Sequence, residues 1–528
     1  MGRQDDVTFA FRLGVFHLGV LDEPQGQFAG LAADVRGGLG HRGQVEPVGE
    51  RLVVEAEDGD TFRNGDPRPA QGADDRDRDL VLFGEDRGGR LTQAEQPAEH
   101  LGGAALVADR RRGDQVVVEG DARLGEGDSG QAGAAASFEG RGPITYVAGK
   151  DTSGTVQPAI DRWNKLHPTE KVTFIQLPTD PDAQRQQMIQ NAETKSDAYT
   201  VLSLDVVWTS EFAAHQWIDR LPEERFPLGG MLDPVVETAE YRGGLYAVPA
   251  SSDGGMLYYR TDLLKKAGIA RPPTTWAEMK ADCAKVRKLP EAKGMSCYAG
   301  QFQKYEGLTV NFAEAVNSAG GTVTDANGAP HVDTPEARKG LDFLVGSVKD
   351  GTVPKEGITY LEEDGRQAFQ AGKLVFLRNW PYVYALAARS GIKGKYAVAP
   401  LPGLNGPGAS SLGGHNMALS SSAENKATAL DFIRFFTSEE NAATFLKDAS
   451  LAPPYASLYD DKALTGQYPY LPVLKESILR AVPRPRVVRY GDVTSAVQQQ
   501  AYAALTGEKS SAQALKDLQA ALRKSVAQ

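Results

Sequence analysis

From residue 143 onward the apolar positions of this chain keep short, regular periods. Residues 144–148 alternate and predict a strand, after which Val156, Ala159, Ile160 and Trp163 recur at helical spacing until Pro168. Val172–Leu177 predicts a second strand, Met188, Ile189 and Ala192 mark one face of a second helix, and residues 201–204 predict a third strand that ends at Asp205. Strand, helix, strand, helix, strand is the rhythm of a parallel α/β sheet, in which ligands sit beyond the carboxyl ends of the strands. Lys150 and Asp151 after the first strand and Asp205 after the third are thereby placed toward one cleft.

Residues 246–249 and 256–259 read as short strands joined through the small residues 250–255, which suits a crossover between two lobes. Helices are expected at 263–267, at 276–287 and from Pro335 onward, the last with Leu341, Leu344, Val345 and Val348 on its inner face and proline at its first position. Residues 374–377 predict a buried strand that breaks at Asn379-Trp380-Pro381-Tyr382, because Pro381 has no N–H for a ladder. Residues 396–403 read as a strand running into a second crossover, and Leu412–Leu419 as a Gly-led turn into a strand. Ala429, Phe432, Ile433 and Phe436 share a helix face, residues 437–440 fit a capping box, 483–486 form an extended loop, and two amphipathic helices at about 493–505 and 512–526 close the chain.

Composition changes the picture for the first quarter. Residues 1–142 contain no Lys, Ile, Tyr, Trp or Cys and a single Asn, Asn64, so they lack the residues from which cores are built. Charge runs at 74–79 and 110–112 favour solvated, extended chain, although short apolar patches at 80–83 and 116–118 suit transient strands. This segment is expected to be disordered or spurious, the product of GC-rich DNA read in the wrong frame or upstream of the true start; the alternative is a natural disordered extension. No signal peptide is recognisable, the nearest candidate (9–20) being preceded by Asp5 and Asp6 and interrupted by Arg12 and His17. No window of about 18 consecutive apolar residues occurs.

A net charge of −11 with no basic stripe argues against a nucleic-acid partner. The histidines and cysteines show no metal-ligand spacing, so neither a metal nor another cofactor is expected, and no set of catalytic residues stands out. Cys283 and Cys297 are expected to form a disulfide in an oxidising compartment, two buried free thiols being the alternative. Trp380 and Tyr382, at the end of a rigid strand, offer flat apolar faces to the C–H side of a sugar ring; the alternative is that both are core or loop-packing aromatics.

Several segments, taken in order, resemble one family. They are TYVAGKDTSG at 145–154, LSLDVVWTSEFAAHQWI at 202–218, YAVPASSDGGMLYYRTDLL at 246–264, RPPTTWAEM at 271–279, KLVFLRNWPYVYAL at 373–386, YAVAPLPG at 396–403, SLGGHNMALS at 411–420 and PRPRVVRYGDVTSAVQ at 483–498. The chain over 143–528 resembles an extracellular solute-binding protein of an ABC importer, of the maltose/trehalose-type sugar-binding branch. The resemblance implies an α/β fold of the two-lobed, hinge-linked periplasmic-binding-protein type (type II). Lobe one would comprise 143–251 and 403–450, lobe two 252–402 and 451–528. It implies ligand contacts from Lys150, Asp151, Asp205, Asp253, Trp380, Tyr382, Gly413, Gly414, His415 and Arg484. His415 stands where that branch usually has Trp, and Ser251 where some relatives carry an aromatic, which removes stacking surface but keeps carbohydrate as the expected ligand class. The implied function is non-enzymatic: capture of a trehalose- or maltose-like disaccharide or oligosaccharide and delivery to a membrane permease. The implied setting is a monomer in the periplasm or lipid-anchored on the extracellular face of the cytoplasmic membrane. A non-sugar ligand and a carboxylate-pair glycoside hydrolase are the competing readings.

Overall fold

The computed structural model describes residues 138–526, apart from 326–327, together with four short strands nearer the start of the chain. The chain divides into two units, Met1–Leu124 and Gly125–Gln528. In the first, Phe9–Arg12 pairs antiparallel with Val15–Leu18, and Arg51–Val54 with Leu80–Phe83, the latter at the expected apolar patch. The patch at 116–118, and most of the stretch 1–142 expected to be disordered or spurious, lie outside the described residues.

The second unit opens with β1 (Ile144–Gly149), α1 (Val156–Leu166), β2 (Val172–Leu177), α2 (Pro181–Glu193) and β3 (Val201–Asp205). β1 pairs parallel with both β2 and β3, as the strand–helix rhythm predicts. Ala159, Ile160 and Trp163 of α1 are buried, and α2 starts where the Asp180 carboxylate accepts the Ala183 N–H at 2.9 Å with Pro181 in the first turn. Then come β4 (Ala247–Gly254), β5 (Met256–Arg260), β6 (Ser296–Ala299), α3 (Glu306–Ser318), β7 (Leu374–Asn379), β8 (Tyr396–Ala399), β9 (Leu412–Leu419) and, near the end, α4 (Tyr490–Leu505).

Two sheets result. One has the order β4-β9-β3-β1-β2, with β9 antiparallel to both β4 and β3; the other has the order β6-β7-β5-β8, with β5 antiparallel to β7 and β8. Gly255 alone carries the chain from the first sheet to the second, and residues 400–411 carry it back. Cys283 and Cys297 form a disulfide with a Cα–Cα distance of 5.6 Å, tying the helix Trp276–Val286 to β6.

Four local readings change. Residues 250–254, expected as a linker of small residues, belong to β4: Ser252, Asp253 and Gly254 pair with Gly414, Gly413 and Leu412 beyond a bulge between Pro249 and Ser251. The ladder supplies the backbone partners that small polar side chains cannot. For the same reason Gly413-Gly414 lies within β9 and not in a turn before it. β8 stops at Ala399, because Pro400 and Pro402 have no N–H to extend it. The helix Glu439–Ala449 is capped by Ser438, not Thr437, whose hydroxyl donates to Ile433 O at the end of the preceding helix.

Candidate functional site

All ten residues expected at the site line one cavity of about 320 Å³ between the two sheets. They do not stand alike within it. Lys150 is an exposed ammonium at the end of β1 with no partner among the described residues. Asp151, next to it, is occupied. Its Oδ1 accepts the N–H groups of Ser153 and Gly154, each at 3.0 Å, and its Oδ2 accepts the Val156 N–H at 3.0 Å. A carboxylate among unpaired N–H groups at a helix start is a stabilising arrangement in its own right, so Asp151 shapes the rim by bracing the turn that leads into α1.

Asp205 at the end of β3 accepts the Val207 N–H at 3.2 Å and Arg484 Nη2 at 2.9 Å, both on Oδ1. Arg484 comes from the extended loop before α4 and its side chain is 1% exposed. Its other terminal nitrogen donates to Glu306 at the start of α3, which also accepts Tyr490 Oη and Thr494 Oγ1, each at 2.6 Å. The Glu306 carboxyl is pushed up to about 7, chiefly by burial, with the Arg484 charge opposing and Asp205 reinforcing the shift. Arg484 thus bridges a strand end of one sheet and a helix start on the other.

The carboxylate of Asp253, on β4 opposite Gly413, has no hydrogen-bond partner among the described residues. Desolvation, and next the nearby Asp205 charge, push its carboxyl up to about 7, against the pull of Arg378. Trp380 follows β7. Its N–H donates to Asn379 Oδ1 at 2.8 Å, and its carbonyl accepts Tyr258 Oη at 2.7 Å, so the backbone that presents the ring is pinned on both sides. Tyr382 donates its hydroxyl to Glu363 Oε1 at 2.7 Å. Gly413 is glycine because a Cβ there would lie 3.0 Å from the Trp380 ring; Gly414 combines φ +119° with a would-be Cβ 2.3 Å from Ser251 O. His415, opposite Asp205 in the ladder, is exposed and lines the same cavity.

Glu306, Glu362 and Glu363 also line the cavity and were not singled out from the sequence. Glu306 carried a usable signal: an acid heading the run Gly307–Val316, whose side chains are almost all apolar or uncharged and all buried, has to find partners inside. Glu362 and Glu363 sit in an acidic run that looks solvated, yet Glu362 accepts Tyr305 Oη at 2.8 Å and Glu363 holds Tyr382.

Residues 149–443 match the family described as bacterial extracellular solute-binding protein. A probable ABC transporter-binding protein of Deinococcus radiodurans is 34% identical over 373 residues, which are 69% of this chain and 88% of that protein. The maltose-bound MalE3 of T. maritima superimposes with a TM-score of 0.69 at 33% identity, covering 72% of this chain and 99% of its own. A mannitol-binding protein of Pseudomonas aeruginosa is 24% identical over 67% of this chain and 86% of its own.

Proposed function

The chain belongs to the family of bacterial extracellular solute-binding proteins, and on that premise we propose that it captures a trehalose- or maltose-like disaccharide or oligosaccharide in the cleft and delivers it to the transmembrane subunits of an ABC importer. The fold is the two-lobed one of periplasmic binding proteins, and the family is that of sugar-type ABC solute-binding proteins. The observation that carries the finer reading is the juxtaposition of a half-buried Trp380 ring with an unpartnered Asp253 carboxylate in one cavity, both beside Gly413. A pyranose has both complements: a C–H face for the ring, and adjacent hydroxyls that donate to the carboxylate in charge-assisted hydrogen bonds.

Charge supports the same ligand. Arg484 is already neutralised by Asp205 and Glu306, which leaves exposed Lys150 as the unpaired cation of the lining, while Asp253 stands free. A phosphorylated polyol would therefore meet an unpaired carboxylate and little positive charge. An open-chain polyol satisfies Asp253 but lays no ring on Trp380. The cavity of about 320 Å³ lies at the lower end of ligand pockets generally, a size for one or two sugar rings.

In this reading the ten residues named above contact the sugar directly or shape its bed, and the protein performs no chemistry on it. It works as a monomer on the outer side of the cytoplasmic membrane, in the periplasm or held by a lipid anchor. Among the described residues no helix is long and apolar enough to cross a membrane. Lobe one is then built on the β4-β9-β3-β1-β2 sheet and lobe two on the β6-β7-β5-β8 sheet, with the hinge at Gly255 and within 400–411.

Isothermal titration of the full chain with maltose, trehalose, mannitol and sn-glycerol 3-phosphate tests the assignment, with glucose release followed in parallel. Saturable binding of a disaccharide without glucose release is the expected result. Binding of the phosphate ester alone would overturn the saccharide assignment, and sustained glucose release would favour a hydrolase.

A further inference from the structure

Arg378, in β7, is two residues before Trp380 and has a side chain 1% exposed, outside the cavity lining. Its guanidinium carbon lies 3.9 Å from the centroid of the Trp380 ring, so protein already occupies one face of the indole. The other edges of the guanidinium are used as well. Nε donates to Glu314 Oε2 at 2.7 Å and Nη1 to Gln301 Oε1 at 3.0 Å. Glu314 Oε1 in turn accepts the Ser411 N–H at 3.1 Å, and Ser410 Oγ, which lies 3.4 Å from the same oxygen, accepts the Gly255 N–H at 2.6 Å.

Gly255, and the stretch 400–411 that ends in Ser410-Ser411, are the two direct links from a strand of one sheet to a strand of the other. Both press on this one ion pair: a Cβ on Gly255 would lie 2.7 Å from Arg378 Nη2 and 2.7 Å from Glu314 Oε1. A buried pair kept for stability alone is easily replaced by apolar side chains. Here one partner is planar and stacked on the ring, and the other is bonded to a crossing segment.

We propose that Arg378 is a positioning residue: it fixes the plane of the Trp380 ring and, through Glu314, makes that plane move with both crossing segments, so that a guest resting on the ring is felt where the lobes hinge. This rests on the reading of Trp380 as the sugar platform. Lysine keeps the charge and reaches Glu314, but it has no plane to stack and no fork to engage both carboxylate oxygens. Glutamine at 314 keeps one acceptor oxygen for Arg378 Nε but sets its amide NH2 where Oε1 accepts both Arg378 Nη2 and the Ser411 N–H, which weakens the tie to Ser411.

The two substitutions therefore separate the two tasks. In the full chain without ligand, acrylamide quenching of the Trp380 component of fluorescence (the difference between a chain and its Trp380→Phe counterpart) should rise in Arg378→Lys and stay near wild type in Glu314→Gln. With maltose, Arg378→Lys should bind roughly tenfold or more weakly, the scale of a desolvated cation–π contact. Glu314→Gln should retain most of the affinity but lose much of the maltose-induced decrease in radius of gyration seen by small-angle X-ray scattering. Unchanged quenching in Arg378→Lys, or identical behaviour of the two variants in every measurement, would overturn the proposal in favour of a structural ion pair. Should the wild-type chain bind no saccharide, the functional reading falls by itself, and the ligand-free quenching comparison still decides whether Arg378 holds the ring.

Discussion

Replacing Arg484 by methionine removes the one cation shared by Asp205 and Glu306 while keeping a side chain of similar length. Glu306 is 4% exposed and Asp205 16%, so the loss falls mainly on Glu306. Breaking a buried pair by removing one partner costs about 3–5 kcal/mol, because a charge is left without compensation. Protonation limits that cost. The Glu306 carboxyl already stands at about 7 against an ordinary 4.5, a shift equivalent to roughly 3 kcal/mol, and without the lowering influence of Arg484 it rises further. Between the ordinary value and the folded value the folded state holds a proton that the unfolded state has released, so stability falls as pH rises through this window. In wild type the fall ends near pH 7; in Arg484→Met it continues above. Urea unfolding followed by circular dichroism should show a deficit of about 1 kcal/mol near pH 5, from the lost hydrogen bond to Asp205, growing to about 2–2.5 kcal/mol near pH 8, because the one pH unit above 7 adds about 1.4 kcal/mol. Adding Glu306→Met to the variant should recover most of the loss. An equal deficit at both pH values would refute the buried-carboxylate reasoning.

Trp380→Ala should weaken disaccharide binding roughly 10- to 100-fold by calorimetry, the range expected for losing one buried apolar face, without unfolding the chain. Gly413→Ala, whose Cβ would press on the Trp380 ring at 3.0 Å, should cost about 1–3 kcal/mol in chemical unfolding and lower affinity together. Cys283→Ser opens a loop of sequence separation 14 and should lower stability by about 3 kcal/mol, with reduction of the wild type giving the same loss. Asp253, raised to about 7, contributes stability that declines as pH climbs from the ordinary carboxylate range to about 7, so thermal unfolding of Asp253→Asn should lose that component of the pH dependence.

The fold was legible wherever one period ran unopposed. Val172–Leu177 keeps the bounds expected for the second strand, and Ala429, Phe432, Ile433 and Phe436 are all buried on the helix face they define. Legibility failed where backbone pairing outweighs side-chain pattern. Residues 250–254 carry small and acidic side chains and still form a strand, because β9 lies alongside to take their hydrogen bonds, and β9 belongs to a distant part of the sequence. Glu306 was missed for a related reason: its partners Arg484, Tyr490 and Thr494 lie more than 170 residues away.

Strand-end position brings the expected site acids to one cavity, but it does not separate those with free oxygens from those engaged by the fold. Asp151, Asp205 and Asp253 all follow or occupy strands that face the same cavity, yet their remaining capacity differs. Asp151 spends both oxygens on the start of α1, Asp205 spends one on Arg484 and Val207, and Asp253 spends neither. An ionised carboxylate has acceptor sites for about four donors, so a guest's hydroxyls find room on Asp253 first, on the second oxygen of Asp205 next, and hardly at all on Asp151. Amide substitution should therefore lower sugar affinity in that order, Asp253→Asn most and Asp151→Asn least. The Asp151 variant should instead show its effect as fraying of α1 in hydrogen exchange. A large affinity loss for Asp151→Asn with α1 protection unchanged would mean that its carboxylate leaves these N–H groups for the ligand, and that counting donors in the unliganded cleft misranks the acids.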